Sequence, residues 1–226
     1  MCGIAGLVYK DSSRPCEPEI VTAMRDIASY RGPDDAGIHV DGNVGLGHRR
    51  LSIIDLGGGH QPMADAGRKL WIIFNGEIYN YREVRERLIA LGRKFQTNSD
   101  TEVIIQAYAE YGDACVQHLN GMFAFAIWDT VQKSLFLARD RMGVKPLYYA
   151  ETTEAFVFGS EIKSLFASGK ITAQCREEAL TEYLIFRQVA GSDTLFRGVK
   201  SLPPGCTMTV RDRQSRIARY WSPRPS

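Results

Sequence analysis

Met122-Phe123-Ala124-Phe125-Ala126-Ile127-Trp128 is the stretch that decides the architecture. Phe123, Phe125 and Ile127 alternate with Ala124 and Ala126, so an extended chain here is apolar on both faces. Asp129–Lys133 reads as a turn and Ser134–Ala138 as the next strand, which makes the two antiparallel neighbours. Antiparallel strands that must be covered on both sides place their sheet inside a sandwich.

The flanking segments agree. Gly3–Tyr9 reads as a buried strand, and Glu17–Tyr30 as an amphipathic helix with Ile20, Met24, Ile27 and Ala28 on one side. Arg31-Gly32-Pro33-Asp34-Asp35 breaks it. Gly37–Val40 and Val44–Arg50 form a hairpin about Asp41-Gly42-Asn43. Leu51–Leu56 is short and apolar, and Gly57-Gly58-Gly59-His60-Gln61-Pro62 is a loop. No lysine-serine/threonine follows those glycines, which excludes a phosphate loop. Leu70–Phe74 predicts a strand ended by a turn at Asn75-Gly76-Glu77. Tyr79–Leu91 predicts a helix stopped by Gly92. Ser99-Asp100-Thr101-Glu102 has capping-box spacing and opens a helix to Tyr111, followed by a shorter one to His118. Leu147–Ala150 and Ala155–Phe158 pair as strands, Glu161–Ala167 and Glu177–Leu184 are helical, and Phe196–Lys200 and Met208–Val210 are short strands. Strands, then helices, then strands, without a β-α-β rhythm, indicate an antiparallel α+β sandwich. One domain covers 2–210, and the arginine- and proline-rich 211–226 reads as a linker rather than a nucleic-acid patch.

The bulk numbers narrow the function classes. With 226 residues, 44% hydrophobic and 24% charged, the chain is an ordinary globular protein large enough for a full core. A net charge of +2 argues against nucleic acid or an anionic membrane as partner. Cys2, Cys16, Cys115, Cys175 and Cys206 are odd in number, widely spread and without a C-x-x-C pair. Neither a disulfide framework nor a zinc site is expected, and a reducing cytoplasm is. No signal peptide and no membrane-spanning run is read.

Cys2 stands directly after the initiator methionine. If Met1 is removed, one residue carries both a thiol and a free α-amino group. Such a group has a reference pKa near neutrality, so a terminal residue can be nucleophile and base together. A small apolar residue starting a strand is the structural alternative. A Cys–His dyad is the chemical rival; of the four histidines, His48 is its best candidate, although its strand-like setting beside arginines reads as structural.

Several motifs, in order, resemble class II glutamine amidotransferase domains, which are N-terminal nucleophile hydrolases. They are Met1-Cys2-Gly3-Ile4-Ala5-Gly6, Arg31-Gly32-Pro33-Asp34, Gly47-His48-Arg49-Arg50-Leu51-Ser52-Ile53, Phe74-Asn75-Gly76-Glu77-Ile78-Tyr79-Asn80 and Ser99-Asp100-Thr101-Glu102. Gly121–Ala126, Ala138–Tyr149 and Gly159–Leu165 resemble, more narrowly, the glutaminase half of glutamine-hydrolysing asparagine synthetases. The resemblance implies an αββα four-layer sandwich of two antiparallel sheets flanked by helices. It implies hydrolysis of the glutamine side-chain amide to glutamate and ammonia, with Cys2 as nucleophile and Asn75 and Gly76 as the oxyanion hole. Arg50 would clamp the substrate α-carboxylate, while Asp100 and Glu77 would receive its α-ammonium. Leu51 and Ile53 would line the pocket through their backbones. Arg49 leaves a one-residue ambiguity with Arg50. Arg31 would brace the Cys2 region or serve only its turn, and Asp140 and Glu161 receive no chemical role.

No cofactor and no metal are expected in this domain. ATP and Mg²⁺ would belong to a C-terminal synthetase domain or partner subunit that takes the ammonia, whose Ser-Gly-Gly-x-Asp-Ser loop is not in this sequence. The expected partners are L-glutamine and that synthetase unit, with a homodimer as one further arrangement. Two alternatives stand beside this reading: the same glutaminase serving another acceptor, and a non-catalytic glutamine-binding or assembly module.

Overall fold

The computed structural model describes residues 1–51 and 59–223. Twelve strands run among the described residues: β1 (Gly3–Tyr9), β2 (Asp35–Asp41), β3 (Val44–Arg50), β4 (Met63–Ala64), β5 (Leu70–Ile78), β6 (Gly121–Asp129), β7 (Ser134–Arg139), β8 (Tyr148–Glu151), β9 (Ala155–Gly159), β10 (Val199–Ser201), β11 (Cys206–Arg211) and β12 (Gln214–Arg219). The α-helices are α1 (Pro18–Asp26), α2 (Tyr81–Ala90), α3 (Asp100–Tyr111), α4 (Ile162–Ala167) and α5 (Leu180–Phe186).

The strands form two six-stranded sheets, ordered β10-β8-β9-β1-β3-β2 and β12-β11-β7-β6-β5-β4, with every pairing antiparallel. The alternation in β6 works as read. Phe123, Phe125 and Ile127 pack outward against Val84 and Leu88 of α2 and Val103 and Ile104 of α3. Ala124 and Ala126 face inward to Ile4, Leu46 and Phe158 of the other sheet. The outer face of that other sheet is covered by Val21 and Met24 of α1 and Leu165 of α4. The result is the expected α+β four-layer sandwich, with alanines of β6 on the face between the two sheets.

Three local readings change. Asn75-Gly76-Glu77 is not a turn: β5 continues through Ile78, with Asn75 opposite Ala124 and Gly76 opposite Phe123. Gly76 is small because β6 lies against it; a Cβ there would meet the Met122 carbonyl and come within 2.7 Å of Phe123 Cα. Ser99 does cap α3, accepting from the Thr101 amide, but Glu102 does not close a capping box. Its carboxylate instead accepts from the Gln96 and Thr97 amides and the Thr97 hydroxyl at 2.6–2.7 Å, tying down the loop that precedes the helix. Residues 214–219, read as linker, form β12 along the full length of β11. The short apolar stretch 51–56, apart from Leu51, and Gly57 and Gly58 of the 57–62 loop lie outside the described residues.

Candidate active site

β1 is the second strand in from neither edge: β3 flanks it on one side and β9 on the other, with Ala5 opposite both Gly47 and Gly159. The head of that strand is therefore held from both directions. Ser160 receives the Ile4 amide on its hydroxyl at 3.1 Å and returns its own amide to the Ile4 carbonyl at 2.8 Å. Arg31, almost buried, donates from Nε to the Cys2 carbonyl at 3.0 Å and pairs with Glu161 at 2.6 Å. Arg31 thus braces Cys2, and Glu161 holds Arg31. The Cys2 Sγ accepts from the Leu51 amide at 3.4 Å. Burial pushes the thiol pKa up, while the Leu51 backbone bond and the positive charges of the chain terminus, Arg50 and Lys145 pull it down.

Cys2 opens onto a cavity between the ends of the two sheets. Across it stand Asn75 and Gly76 of β5. Asn75 is 1% exposed, and its Nδ2 has no hydrogen-bond partner among the described residues. A buried amide donor without an acceptor costs roughly 1–3 kcal/mol, so a donor kept this way at a cavity wall is suited to an incoming oxygen. The strand that carries it is fixed just upstream. The Phe74 amide donates to the Gln61 side-chain carbonyl at 2.7 Å, and the Phe74 carbonyl accepts from His48 Nε2 at 3.0 Å. Gln61 is anchored in turn by donating to the Thr101 hydroxyl at 3.2 Å. His48 is fully buried between the sheets, and burial lowers its pKa to about 4. It is a neutral donor to the backbone of β5, which fits the structural reading rather than a Cys–His dyad.

The charged groups gather at the same cavity. Asp100, at the start of α3, is 5% exposed and accepts the Ile78 amide at 3.1 Å. Burial raises its pKa to about 6; the Ile78 bond opposes this, and the nearby Glu77 charge adds to it. Glu77 and Arg50 also line the cavity. The neighbouring arginines separate cleanly, because successive strand residues face opposite ways. Arg49 pairs with Asp26 of α1 at 2.8 Å on the outer face, whereas Arg50 is buried on the cavity side under Gly59. Leu51 lines the cavity, and Ile53 lies outside the described residues.

The arrangement holds a thiol, an unmatched amide donor, a guanidinium and two carboxylates around one space. It can accept a zwitterion at one end and carry out acyl transfer at the other. Among the described residues, no group of three or more His, Cys, Asp or Glu side chains could hold a metal, and no helix is long and apolar enough to cross a membrane. Sequence reasoning missed Gln61, and it missed Lys145, which is 6% exposed and lines the cavity with Cys2. It also left Asp140 without a task. That buried carboxylate accepts the amides of Phe123, Met142, Val144 and Lys145 at 2.9–3.2 Å and shapes the loop that delivers Lys145. The only signal available was the dense run Arg139-Asp140-Arg141-Met142-Gly143-Val144-Lys145 itself.

Comparison with known proteins gives a consistent result. A profile of the glutamine amidotransferase domain matches residues 1–221. Asparagine synthetase [glutamine-hydrolyzing] 3 of Bacillus subtilis (strain 168) is 41% identical over 225 residues, covering 98% of this chain and 37% of that protein. Asparagine synthetase [glutamine-hydrolyzing] 1 of the same organism is 42% identical over 213 residues, covering 93% and 34%. The chain therefore spans about a third of the length of these relatives. Among solved structures, glutamine phosphoribosylpyrophosphate amidotransferase from B. subtilis superposes with a TM-score of 0.72 at 20% identity, over 97% of this chain and 49% of that one. That likeness shows the fold.

Proposed function

As the chain belongs to the glutamine amidotransferase domain family, we propose that it hydrolyses the side-chain amide of L-glutamine, with Cys2 as the nucleophile. The observation that carries this reading is the Asn75 Nδ2 donor, buried and unmatched, in the cavity that Cys2 opens onto. In the proposed reaction the Cys2 Sγ attacks the amide carbon, and the thiol proton passes to the Cys2 α-amino group. The carbonyl oxygen becomes an oxyanion facing Asn75 Nδ2 and the Gly76 amide. The protonated α-amino group then returns the proton to the departing nitrogen, so ammonia leaves and a thioester remains. Water attacks the thioester, is deprotonated by the same amino group, and releases glutamate and the free thiol. Arg50 receives the substrate α-carboxylate, and Asp100 with Glu77 receives the α-ammonium. With Met1 attached, the Cys2 nitrogen is an amide and cannot serve as the base, so removal of Met1 is part of the proposal.

The relatives' names, asparagine synthetase [glutamine-hydrolyzing], support a synthetase unit that amidates aspartate as the destination of the ammonia; the ATP and Mg²⁺ implied by the motif resemblance would belong to that unit. A cytoplasmic setting suits the free Cys2 thiol. The test is intact-mass analysis beside a glutaminase assay on one sample. Glutamate should form only in protein lacking Met1 and should vanish in Cys2→Ala. Asn75→Ala should lose about 10²–10³-fold in kcat with the fold intact. Equal turnover by protein that retains Met1 would overturn the α-amino mechanism, and turnover by Cys2→Ala would overturn the nucleophile.

A further inference from the structure

Among the described residues, Lys145 is the one charged group lining the cavity that the proposed reaction does not use. It is buried, it lines the cavity beside Cys2, and its positive charge acts on the Cys2 thiol. Its ammonium has no hydrogen bond and no carboxylate within ion-pair distance among the described residues. The other charges at the cavity are accounted for. Arg31 is paired with Glu161, and Arg50, Glu77 and Asp100 match the two charges of an amino-acid substrate. An ammonium placed in a cavity beside a nucleophile without a protein carboxylate paired to it is available to act on its neighbours there.

The backbone aims it. Asp140 accepts the Lys145 amide at 2.9 Å, and Arg139 Nε donates to the Lys145 carbonyl at 2.8 Å. The remaining Arg139 nitrogens are spent on Gly143, Ser201 and Leu202. Both bonds to Lys145 are made by its main chain, so the side chain is delivered to the cavity without contributing to the clamp. The same loop turns Met142 and Val144 outward into solvent.

We propose that Lys145 is a positioning residue for the proposed glutaminase reaction: its ammonium, held in the cavity beside the start of the chain, keeps the Cys2 α-amino group uncharged and ready to accept a proton. Two like charges sharing one cavity disfavour each other's charged form. A terminal amine otherwise sits close enough to neutrality to be substantially protonated, and a protonated amine cannot take the thiol proton. The charged groups that line the cavity with Cys2 are Lys145 from its loop, Arg50 from β3, Glu77 from β5 and Asp100 from α3, and Arg31 with its Glu161 partner holds the Cys2 carbonyl from behind the strand. His48 is neutral and directed at the Phe74 carbonyl. Among the described residues no carboxylate lies within ion-pair distance of the Lys145 ammonium.

This inference rests on the glutaminase reading, and its test separates the two. Protein lacking Met1 is compared as wild type, Lys145→Met, Lys145→Gln and Lys145→Arg, with kcat/KM for glutamine followed against pH. The expected result is an acid limb moved up by about one pH unit in Lys145→Met. Below the limb that is about a tenfold loss, with most activity retained on the alkaline plateau. Lys145→Arg should keep the wild-type limb, and Lys145→Gln replaces Lys145→Met if the latter fails to fold. An unmoved limb with a raised KM would make Lys145 a glutamine contact, and a uniform fall in kcat would make it a packing group; either overturns the proposal. A titration of the Cys2 α-amino group by ¹⁵N NMR gives the same answer without turnover. If wild type hydrolyses nothing, the functional reading fails, but a titration raised in Lys145→Met still supports the role of Lys145, and an unchanged one refutes it.

Discussion

Asp100 sets a measurable price on the proposed substrate site. Its carboxyl is held at about 6 by burial, against an ordinary 3.8. At about 1.4 kcal/mol per pH unit, ionising it in the empty protein costs roughly 3 kcal/mol of stability. The sign follows from proton binding. Between about pH 4 and 6 the folded protein holds the Asp100 proton and the unfolded chain does not. The penalty is therefore absent below the unfolded value and fully present above pH 6. His48 carries the opposite sign in nearly the same window: held at about 4, it stays neutral when folded while an unfolded histidine protonates from about 6.5 downward. Its contribution is lost as pH falls. The two nearly cancel, so the wild-type stability curve should be flat there, and only a difference can read Asp100. Asp100→Asn keeps the shape and an acceptor for the Ile78 amide. Urea unfolding of both proteins at pH 8 and pH 4.5 should show the variant more stable by about 1–3 kcal/mol at pH 8, with most of that gain gone at pH 4.5. The KM for glutamine should meanwhile rise about 100-fold or more at pH 8 as the ammonium loses its partner. An Asn variant no more stable than wild type at pH 8, or a gain that persists unchanged at pH 4.5, would refute the argument that burial strains this carboxylate.

Arg50→Lys should raise the glutamine KM about 10–100-fold with kcat little changed, while Arg49→Lys, on the outer face with Asp26, leaves KM alone; steady-state kinetics of the pair checks both. Gly76→Ala forces a methyl against the Met122 carbonyl and Phe123 Cα, and urea unfolding should show a loss of about 1–3 kcal/mol or more. His48→Phe leaves the Phe74 carbonyl without its donor and should cost about 1–3 kcal/mol at pH 8. The deficit of this variant relative to wild type should shrink as pH falls from about 6.5 to 4, and its pH–rate limbs should not move; a moved limb would reopen the Cys–His dyad.

What could be read from the chain alone was set by pattern. The two-faced alternation of β6 demanded a covered sheet, and the hairpin about Gly42 and the opening strand followed from spacing. The motif order then placed Cys2, Arg50, Asn75, Glu77 and Asp100 in one pocket, and the structure brings all five to one cavity. The errors came where two physical causes share one signature. Asn-Gly is a turn dipeptide by propensity, yet Gly76 is small because β6 crosses close to it in mid-strand. Ser99 and Glu102 have the spacing of a capping box, yet the loop at Gln96 and Thr97 folds back and takes the carboxylate first. Arg49 and Arg50 differ only in which face of β3 each occupies, and that depends on where α1 and the second sheet lie. Lys145 and Asp140 belong to an irregular loop, where no periodicity marks the inward-facing side chain.

The placement of β1 also bears on how the protein can be made and fused. Its first residues are clamped by neighbours on both sides and open directly onto the cavity, where Met1 already stands among the lining groups. An affinity tag, a fluorescent fusion or an upstream in-frame start codon would leave its extra chain crossing that cavity and would hold the Cys2 nitrogen in a peptide bond. On the proposed mechanism such a fusion would bind its resin and hydrolyse no glutamine. A handle placed after β12, whose outer edge faces solvent, leaves the cavity open and the first residue free to be processed.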